Sequence, residues 1–238
     1  MRYSVIMPVL LREQQHRVVV ESCLKSIEAN SKDYELIIID DGSSLMTGFL
    51  RDEATTYIRH KENMGIAPSW NDGIKLARGE YLAIVNDDIV VHEDWLEGLR
   101  RPFLELENVG VTAPAVLHIP HSEGIVEDFT WFPGFCFMFN RNTMKKVAEL
   151  DKERNWGMLG VFDERFVPYN GEDVDFWERN LMSGLKLFRN YNVIINHREG
   201  DVIHALGNYE KRSKEANEQF TKKHGFDPVA KYYPPVVK

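Results

Sequence analysis

The sequence predicts an α/β domain with a mostly parallel central sheet flanked by helices. Three observations support this fold class. Apolar runs and helical patterns alternate over the first 115 residues, residues 36–39 are apolar throughout, and acidic residues directly follow two of the apolar runs. Alternating strands and helices are typical of a parallel sheet covered by crossover helices. A strand that is apolar throughout is typical of a position buried on both faces.

The strands expected in the first part of the chain are short apolar segments, namely residues 4–7, 35–39, 55–59, 81–85 and 109–115. A helix is expected between the first two strands, because Val20, Leu24 and Ile27 recur at i, i+4 and i+7. The next helix is expected between Pro68 and Gly79, since proline favours the first turn of a helix and glycine its end.

The second part of the chain predicts fewer strands. After a helix over residues 92–107, the alternation loosens beyond residue 116. The expected elements that follow are a strand over 135–139 and helices near 143–150, 172–182 and 209–224. No internal repeat, low-complexity tract or linker divides the chain, so the sequence predicts one domain over residues 1–238.

Composition narrows the class of protein. The chain has 238 residues, with 29 Lys and Arg against 37 Asp and Glu, giving a net charge of −8. An acidic balance disfavours nucleic acid as the main partner, because that affinity comes largely from neutralised phosphates. The only cysteines, Cys23 and Cys136, are far apart and lack metal-ligand spacing, which disfavours a disulfide framework or a zinc site.

Hydropathy bears on the expected location of the protein. No apolar run approaches the roughly 18 residues needed to span a bilayer. The apolar stretch at the start of the chain is interrupted by Pro8 and followed by charge, which is unlike a signal peptide. We therefore expect a cytoplasmic protein, with at most peripheral membrane contact through the aromatic and lysine residues near its end.

Acidic residues follow two predicted strands at the point where each strand ends. Asp40 and Asp41 follow the second strand, and Asp87 and Asp88 follow the fourth. Either pair alone is compatible with an ordinary turn. In open parallel sheets, however, ligands bind beyond the carboxyl ends of the strands. Mn²⁺ and Mg²⁺ prefer carboxylate, phosphate and water oxygens, so a diphosphate held through such an ion is a consistent ligand.

The usual glycine-rich phosphate loops are absent from the sequence. Neither G-x-x-x-x-G-K-[ST] nor G-x-G-x-x-G occurs, which removes the main support for a P-loop or dinucleotide-binding protein. A third acidic cluster, residues 170–175, opens the predicted helix over 172–182. Acids in a first helical turn often only complement the helix dipole. Alternatively, one carboxylate kept anionic by that dipole serves as a general base.

Seven segments in order make the chain resemble glycosyltransferase family 2, inverting nucleotide-sugar transferases of the GT-A fold. The segments are residues 4–9, 35–43, a group made of 63–65, 71–73 and 77–81, and then 86–88, 133–138, 162–166 and 171–175. The resemblance implies transfer of a sugar from a nucleoside-diphosphate sugar, linked to UDP, GDP or dTDP, to a hydroxyl of a glycan or lipid-linked acceptor. It also implies a single GT-A domain, with residues 1–115 binding the donor and residues 116–238 providing the acceptor site and the base.

The resemblance assigns six residues to the nucleotide pocket, namely Pro8, Val9, Asp40, Asp41, Asn63 and Asn71. Pro8 and Val9 would cover the base, and Asp40 or Asp41 would bind the base or ribose. Residues 86–88 correspond to the D-x-D-type motif, with Asp87 toward the ribose or donor sugar and Asp88 on Mn²⁺ or Mg²⁺. The first position of this motif is often Asp and is asparagine here, which leaves the metal-ligand position intact.

The resemblance also assigns residues of the second half. Asp173 corresponds to the general base and Gly134 to the donor-sugar and acceptor region. Three aromatic side chains could stack on a sugar or pack in the core, namely Trp131, Phe132 and Trp156. Many members of the family supply a late histidine to the metal. His197 has the usual offset from the acidic helix, but we favour His204, which better fits the spacing to residues 220–225; the other histidines are expected at the surface.

Two alternatives from other classes remain open. A nucleotidyltransferase acting on a sugar phosphate would use a similar sheet, but such families typically have a glycine-rich, basic loop after the first strand, and residues 8–12 contain no glycine. A nucleotide-sugar-binding module without catalytic activity is the second alternative. The presence of both Asp88 and Asp173 disfavours it.

Overall fold

The fold is built on a central sheet, seen here in a computed structural model. The structure describes residues 1–117, 123–127, 134–158, 160–166, 170–198 and 209–232. Its strands are β1 Tyr3–Val9, β2 Tyr34–Asp40, β3 Thr56–Arg59, β4 Tyr81–Val85, β5 Ile89–Val90, β6 Val109–Val116, β7 Ile125–Glu127, β8 Cys136–Asn140 and β9 Lys186–His197. These strands form one sheet in the order β3-β2-β1-β4-β8-β6-β9-β5, and β7 pairs with β9.

Helices cover both faces of this sheet. They are α1 Gln14–Asn30, α2 Gly48–Glu53, α3 Ile66–Leu76, α4 Trp95–Glu105, α5 Arg141–Arg154, α6 Glu172–Met182, α7 Tyr209–His224 and α8 Pro228–Tyr232. Within the described ranges, none of the helices has both the length and the apolar character needed to cross a membrane.

Strand β2 shows why the sheet needs helices on both faces. Leu36 and Ile38 belong to a core cluster shared with α1 and α4, whereas Ile37 and Ile39 belong to a second cluster shared with α3, α5 and α6. Successive side chains of a strand point to opposite faces, so an unbroken apolar run places apolar groups in both layers. The expected α/β fold is therefore confirmed.

The sheet is parallel in one half and mixed in the other. Strands β3, β2, β1 and β4 are parallel, so their carboxyl ends meet at one edge, with Val9 paired to Asp40. Strand β8 is antiparallel to β4 and pairs Cys136 with Val85. The residues that enter β8, Gly134 and Phe135, therefore reach the same edge as the end of β4.

Strand β9 brings a second segment to this edge. It runs parallel to β6, and its last residues pair with β5, so His197 lies opposite Ile89. The short strand β5 directly follows Asp87 and Asp88. The sheet thus places acids from the first half beside a histidine from the second half.

Candidate active site

Asp88 and His197 lie next to each other at the edge of the sheet where the parallel strands end. The backbone N–H of Arg198 donates a 3.1 Å hydrogen bond to the carbonyl of Asp88. His197 Nε2 is 3.4 Å from Asp88 Oδ1, and both side chains are largely buried. The ring of Phe135 stacks on the His197 ring at 4.1 Å between centroids, which holds the imidazole in this orientation. The pairing of β5 with β9 therefore creates this site.

The donor set at Asp88 fits a divalent cation. Asp88 Oδ1 is buried and has no hydrogen-bond partner. Two ligands at about 2.1 Å from one ion lie roughly 3.0–3.4 Å apart, which matches the distance to His197. No group of three or more His, Cys, Asp or Glu suited to a metal is found among the described residues. Diphosphate and water oxygens would therefore have to complete the coordination, as is usual for Mn²⁺ and Mg²⁺.

The carboxyl group of Asp87, beside Asp88 and His197, has a strongly shifted pKa. Burial and the negative charge of Asp88 raise its pKa to about 8, although backbone N–H groups, including that of Leu10, act in the opposite direction. Two adjacent acids in a buried cleft disfavour each other's ionised form. A bound cation reverses this effect, so the pair is suited to a cationic partner.

Asp173 occupies the first turn of α6 and faces the entry to β8. It is 8% exposed, and its Oδ1 accepts a 2.8 Å hydrogen bond from the backbone N–H of Val174. The backbone N–H of Gly134 also donates to this carboxylate. A Cβ atom added at Gly134 would lie 2.7 Å from Asp173 Oδ2. The absence of a side chain at Gly134 therefore allows this close approach.

Burial outweighs the backbone hydrogen bonds in setting the pKa of Asp173. Burial raises the pKa of Asp173 to about 6, against the hydrogen bonds from Val174 and Gly134. The adjacent Glu172 is also buried, and its Oε2 has no partner. Burial and the charge of Asp173 raise the pKa of Glu172 well above its ordinary value. We therefore expect Asp173 to ionise first while Glu172 keeps its proton, a role for Glu172 that sequence reasoning missed.

Asp40 and Asp41 are buried and already hydrogen-bonded within the protein. Asp40 Oδ2 accepts a 2.7 Å hydrogen bond from the Tyr57 hydroxyl. Asp41 contacts His60 Nδ1 at 2.7 Å through Oδ1 and accepts a 2.9 Å hydrogen bond from the Gly65 backbone through Oδ2. These contacts fix the loops after β2 and before α3. Binding of the base or ribose by either carboxylate stays a prediction, and it would use the remaining acceptor positions.

The other residues predicted for the nucleotide pocket differ in whether their polar atoms are free to bind a ligand. Pro8 and Val9 are buried in β1. Asn63 Oδ1 is buried without a hydrogen-bond partner, so it is available to a ligand. Asn71 is 1% exposed, and its amide group exchanges two 2.9 Å hydrogen bonds with the backbone of Phe162. The side chain of Asn71 thus holds the segment before α6 against α3.

The remaining candidates lie partly outside the described residues. Three of them fall outside the described residues, namely His204, Trp131 and Phe132. The choice between His204 and His197 as the metal ligand therefore stays open. Trp156 packs against the ring of His224, with 5.2 Å between centroids. The expectation that the other histidines lie at the surface is wrong for His16 and His224, whose side chains are buried. His224 contacts Asp175, a tertiary contact that no local sequence pattern reveals.

Two solved structures are similar to this chain in fold. S. aureus TarS in complex with UDP-GlcNAc matches 97% of this chain and 69% of its own chain, with a TM-score of 0.68 and 16% identity. GalNAc-T7 with UDP, GalNAc and Mn²⁺ matches 82% of this chain and 43% of its own, with a TM-score of 0.65 and 15% identity. These likenesses show the fold: the chain forms an α/β domain with a central mixed sheet flanked by helices, as predicted.

The chain belongs to glycosyltransferase family 2, whose family model matches residues 4–166. An uncharacterized glycosyltransferase of Rickettsia felis is 30% identical over 198 residues, which cover 77% of this chain and 31% of that protein. A Rickettsia bellii relative is 28% identical and is covered over 27% of its length. The chain thus spans less than a third of these relatives. Since Asp173 and His197 lie beyond residue 166, the family model does not test their assignment.

Proposed function

We propose that the chain is a metal-dependent inverting glycosyltransferase. It would move a sugar from a nucleoside-diphosphate sugar to a hydroxyl of a glycan, glycolipid or related acceptor. One observation carries the proposal: the two candidate metal ligands and the candidate base lie at the same edge of the sheet, on either side of residues 134–135. Asp88 and His197 lie on the side of Phe135, and the buried carboxylate of Asp173 lies on the side of Gly134. The family and the fold supply the class of reaction.

Asp173 acts as the general base in this proposal. It takes the proton from the acceptor hydroxyl while that oxygen attacks the anomeric carbon, and the nucleoside diphosphate leaves from the opposite face. The carbon is therefore inverted. Because the pKa of Asp173 is about 6, most of this carboxylate is ionised at neutral pH. The N–H of Gly134 orients the carboxylate and favours its charged form.

Asp88 and His197 would hold the cation in this proposal. When bound there, Mn²⁺ or Mg²⁺ supplies positive charge that stabilises the departing diphosphate. The ring of Phe135 fixes the imidazole of His197 for this task. The buried, unpartnered Oδ1 of Asp88 supports the assignment, because a buried carboxylate oxygen without a partner is costly unless a ligand satisfies it.

A UDP-linked sugar is the favoured donor among the UDP, GDP and dTDP classes. TarS was crystallised with UDP-GlcNAc and GalNAc-T7 with UDP and GalNAc. In this chain, the free Oδ1 of Asn63 provides an acceptor for an N–H group of the base. The acceptor substrate would be bound by the half of the chain that contains Asp173.

The test is a panel of UDP-, GDP- and dTDP-sugars with Mn²⁺, read by thermal shift and by release of nucleoside diphosphate. We expect a UDP sugar to raise the melting temperature and to release UDP, with water or an added glycan as acceptor. EDTA should abolish release, and added Mn²⁺ should restore it. Donor binding without release would favour a binding module, and release of pyrophosphate from a nucleoside triphosphate would favour a nucleotidyltransferase; either result contradicts the proposal.

A further inference from the structure

The C-terminal end of α7 inserts two side chains beneath the first turn of α6. The side chain of Lys223 is 3% exposed, and its Nζ lies 2.7 Å from Asp175 Oδ1 and 2.8 Å from Asp163 Oδ2. His224 Nε2 lies 2.8 Å from the same Oδ1 of Asp175, and its side chain is fully buried. One carboxylate of α6 is therefore held by the last two residues of α7.

Charged groups from three elements surround this contact. On α6, Arg179 Nε is 2.8 Å from Asp175 Oδ2. Arg165 pairs with Asp163 on the segment before α6, and Asp151 of α5 lies 3.5 Å from Arg179. Removing the charge of Lys223 would leave these acids in excess in a buried site, which is strongly unfavourable.

The contact of Lys223 with Asp163 also connects α7 to α3, which lies in the half of the chain expected to bind the donor. Asp163 follows Phe162, whose backbone is fixed to α3 by Asn71 through two hydrogen bonds. Lys223 therefore connects this fixed segment with Asp175 of α6. Asp173 lies two residues before Asp175 on the same helical turn, where its carboxylate contacts Gly134.

We propose that Lys223 and His224 are positioning residues for the general base. They fix the first turn of α6 relative to α3, so that Asp173 stays against the N–H of Gly134 and faces the donor. This inference rests on the proposed function, in which Asp173 is the base. If the contact is cut, α6 shifts, the hydrogen bond from Gly134 weakens, and Asp173 becomes both misplaced and harder to ionise.

A simple role in stability explains these residues less well. Buried ion pairs contribute little net stability, and apolar side chains of similar volume often replace them without loss. Their advantage is that they define one arrangement of the elements that they join. Here they join α6, α7 and the segment of Asp163, and one of these elements provides Asp173.

The test compares Lys223→Met with Lys222→Met, whose position is the exposed neighbour on α7. UDP release from UDP-GlcNAc, or from whichever panel sugar the wild type uses, is measured with Mn²⁺ between pH 5 and 9. For Lys223→Met we expect kcat to fall about tenfold or more, with the donor KM within about twofold. The acid limb of the kcat profile should move up by about half a pH unit or more. Lys222→Met should match the wild type, and Lys223→Arg should recover part of kcat.

A double variant separates positioning from charge balance. Lys223→Met with Asp163→Asn removes one charge of each sign, so the net charge of the buried site does not change. We expect this variant to fold and to keep the reduced kcat, because Asp175 is still detached from the Asp163 segment. A normal kcat and acid limb in Lys223→Met or in the double variant would overturn the inference, even if the melting temperature fell. A wild type that releases no nucleoside diphosphate from any sugar would overturn the proposed function and this inference with it.

Discussion

Asp88 shows how one side chain can indicate a ligand-binding position. Its Oδ1 is buried without a hydrogen bond, a situation that costs about 1–3 kcal/mol in proteins. The sequence points to Asp88 because acids follow a strand end, and to Asp173 because the resemblance covers residues 171–175; the metal and base roles of these residues stay predictions. It could not predict the contacts of Lys223 and His224 with Asp175, since these form only when α7 packs beneath α6.

His197 provides a test of the cation site at the level of one residue. We expect His197→Ala to weaken Mn²⁺ binding in the presence of UDP by about tenfold or more, because one of the two proposed protein ligands is removed. Mn²⁺ affinity is measured by calorimetry or by electron paramagnetic resonance of the free ion.

His92→Ala is the matched control for this measurement. His92 lies near the same strand pair, where its Nε2 is 3.3 Å from Asn196 Oδ1, and it is exposed. Its loss should leave Mn²⁺ affinity unchanged. Equal affinities for wild type and His197→Ala would exclude His197 as a ligand.

At the level of elements, local patterns predicted the first half of the fold well. The alternation of the longer strands and helices up to β6 follows from short-range periodicity, although the short elements α2 and β5 were not predicted. Helices α6 and α7 have the predicted bounds. Strand β9 was not predicted, because polar residues such as Asn190 and Asn192 interrupt its apolar pattern. It is stabilised by pairing with β5, β6 and β7. The position of His197 beside Asp88 depends on this unpredicted strand.

Gly134 tests the fit between the entry to β8 and the start of α6. An added methyl group at Gly134 would meet the side chain of Asp173, so we expect it to act through this contact. We expect Gly134→Ala to lower kcat by about tenfold or more by displacing the carboxylate, with a folded domain and donor binding preserved. The measurement is UDP release together with donor affinity.

Gly48→Ala is the control for this variant. An added Cβ at Gly48 meets no atom within 4 Å. It should therefore leave turnover unchanged. Full activity of Gly134→Ala would show that Asp173 does not depend on this close approach.

At the scale of the whole molecule, the net charge of −8 conceals two distinct groups of buried acids. Asp163 and Asp175 are paired with cations, and despite burial these partners hold their pKa values below the ordinary value of 3.8. Glu172 and Asp173 lack such partners, and burial raises their pKa values. The first group stabilises the fold when ionised, whereas ionisation of the second group opposes burial.

These opposite shifts predict a maximum of stability at mildly acidic pH. Below about pH 4 the unfolded chain binds more protons than the paired acids, so stability falls as pH falls. From about pH 4 through 6 and above, the folded Glu172 and Asp173 hold more protons, so stability falls as pH rises. We therefore expect the melting temperature, measured in chelator from pH 3 to 8, to be highest near pH 4.

Glu172→Gln is the informative variant for this profile. Because it removes one of the titrating carboxyls with a raised pKa, it should flatten the decline between about pH 5 and 8. The acidic side, which depends on Asp163 and Asp175, should be unchanged. A wild-type melting temperature that rises steadily to pH 8 would contradict this account of the buried acids.

The most direct test of the central claim measures donor affinity and turnover for Asp173→Asn. Asparagine keeps the size of the side chain but cannot accept the acceptor's proton. We expect the Kd for UDP-GlcNAc, or for the donor found in the panel, to stay within about twofold, while kcat falls by roughly 10²–10⁴-fold. A kcat within about threefold of wild type, with the same donor affinity, would show that Asp173 is not the general base.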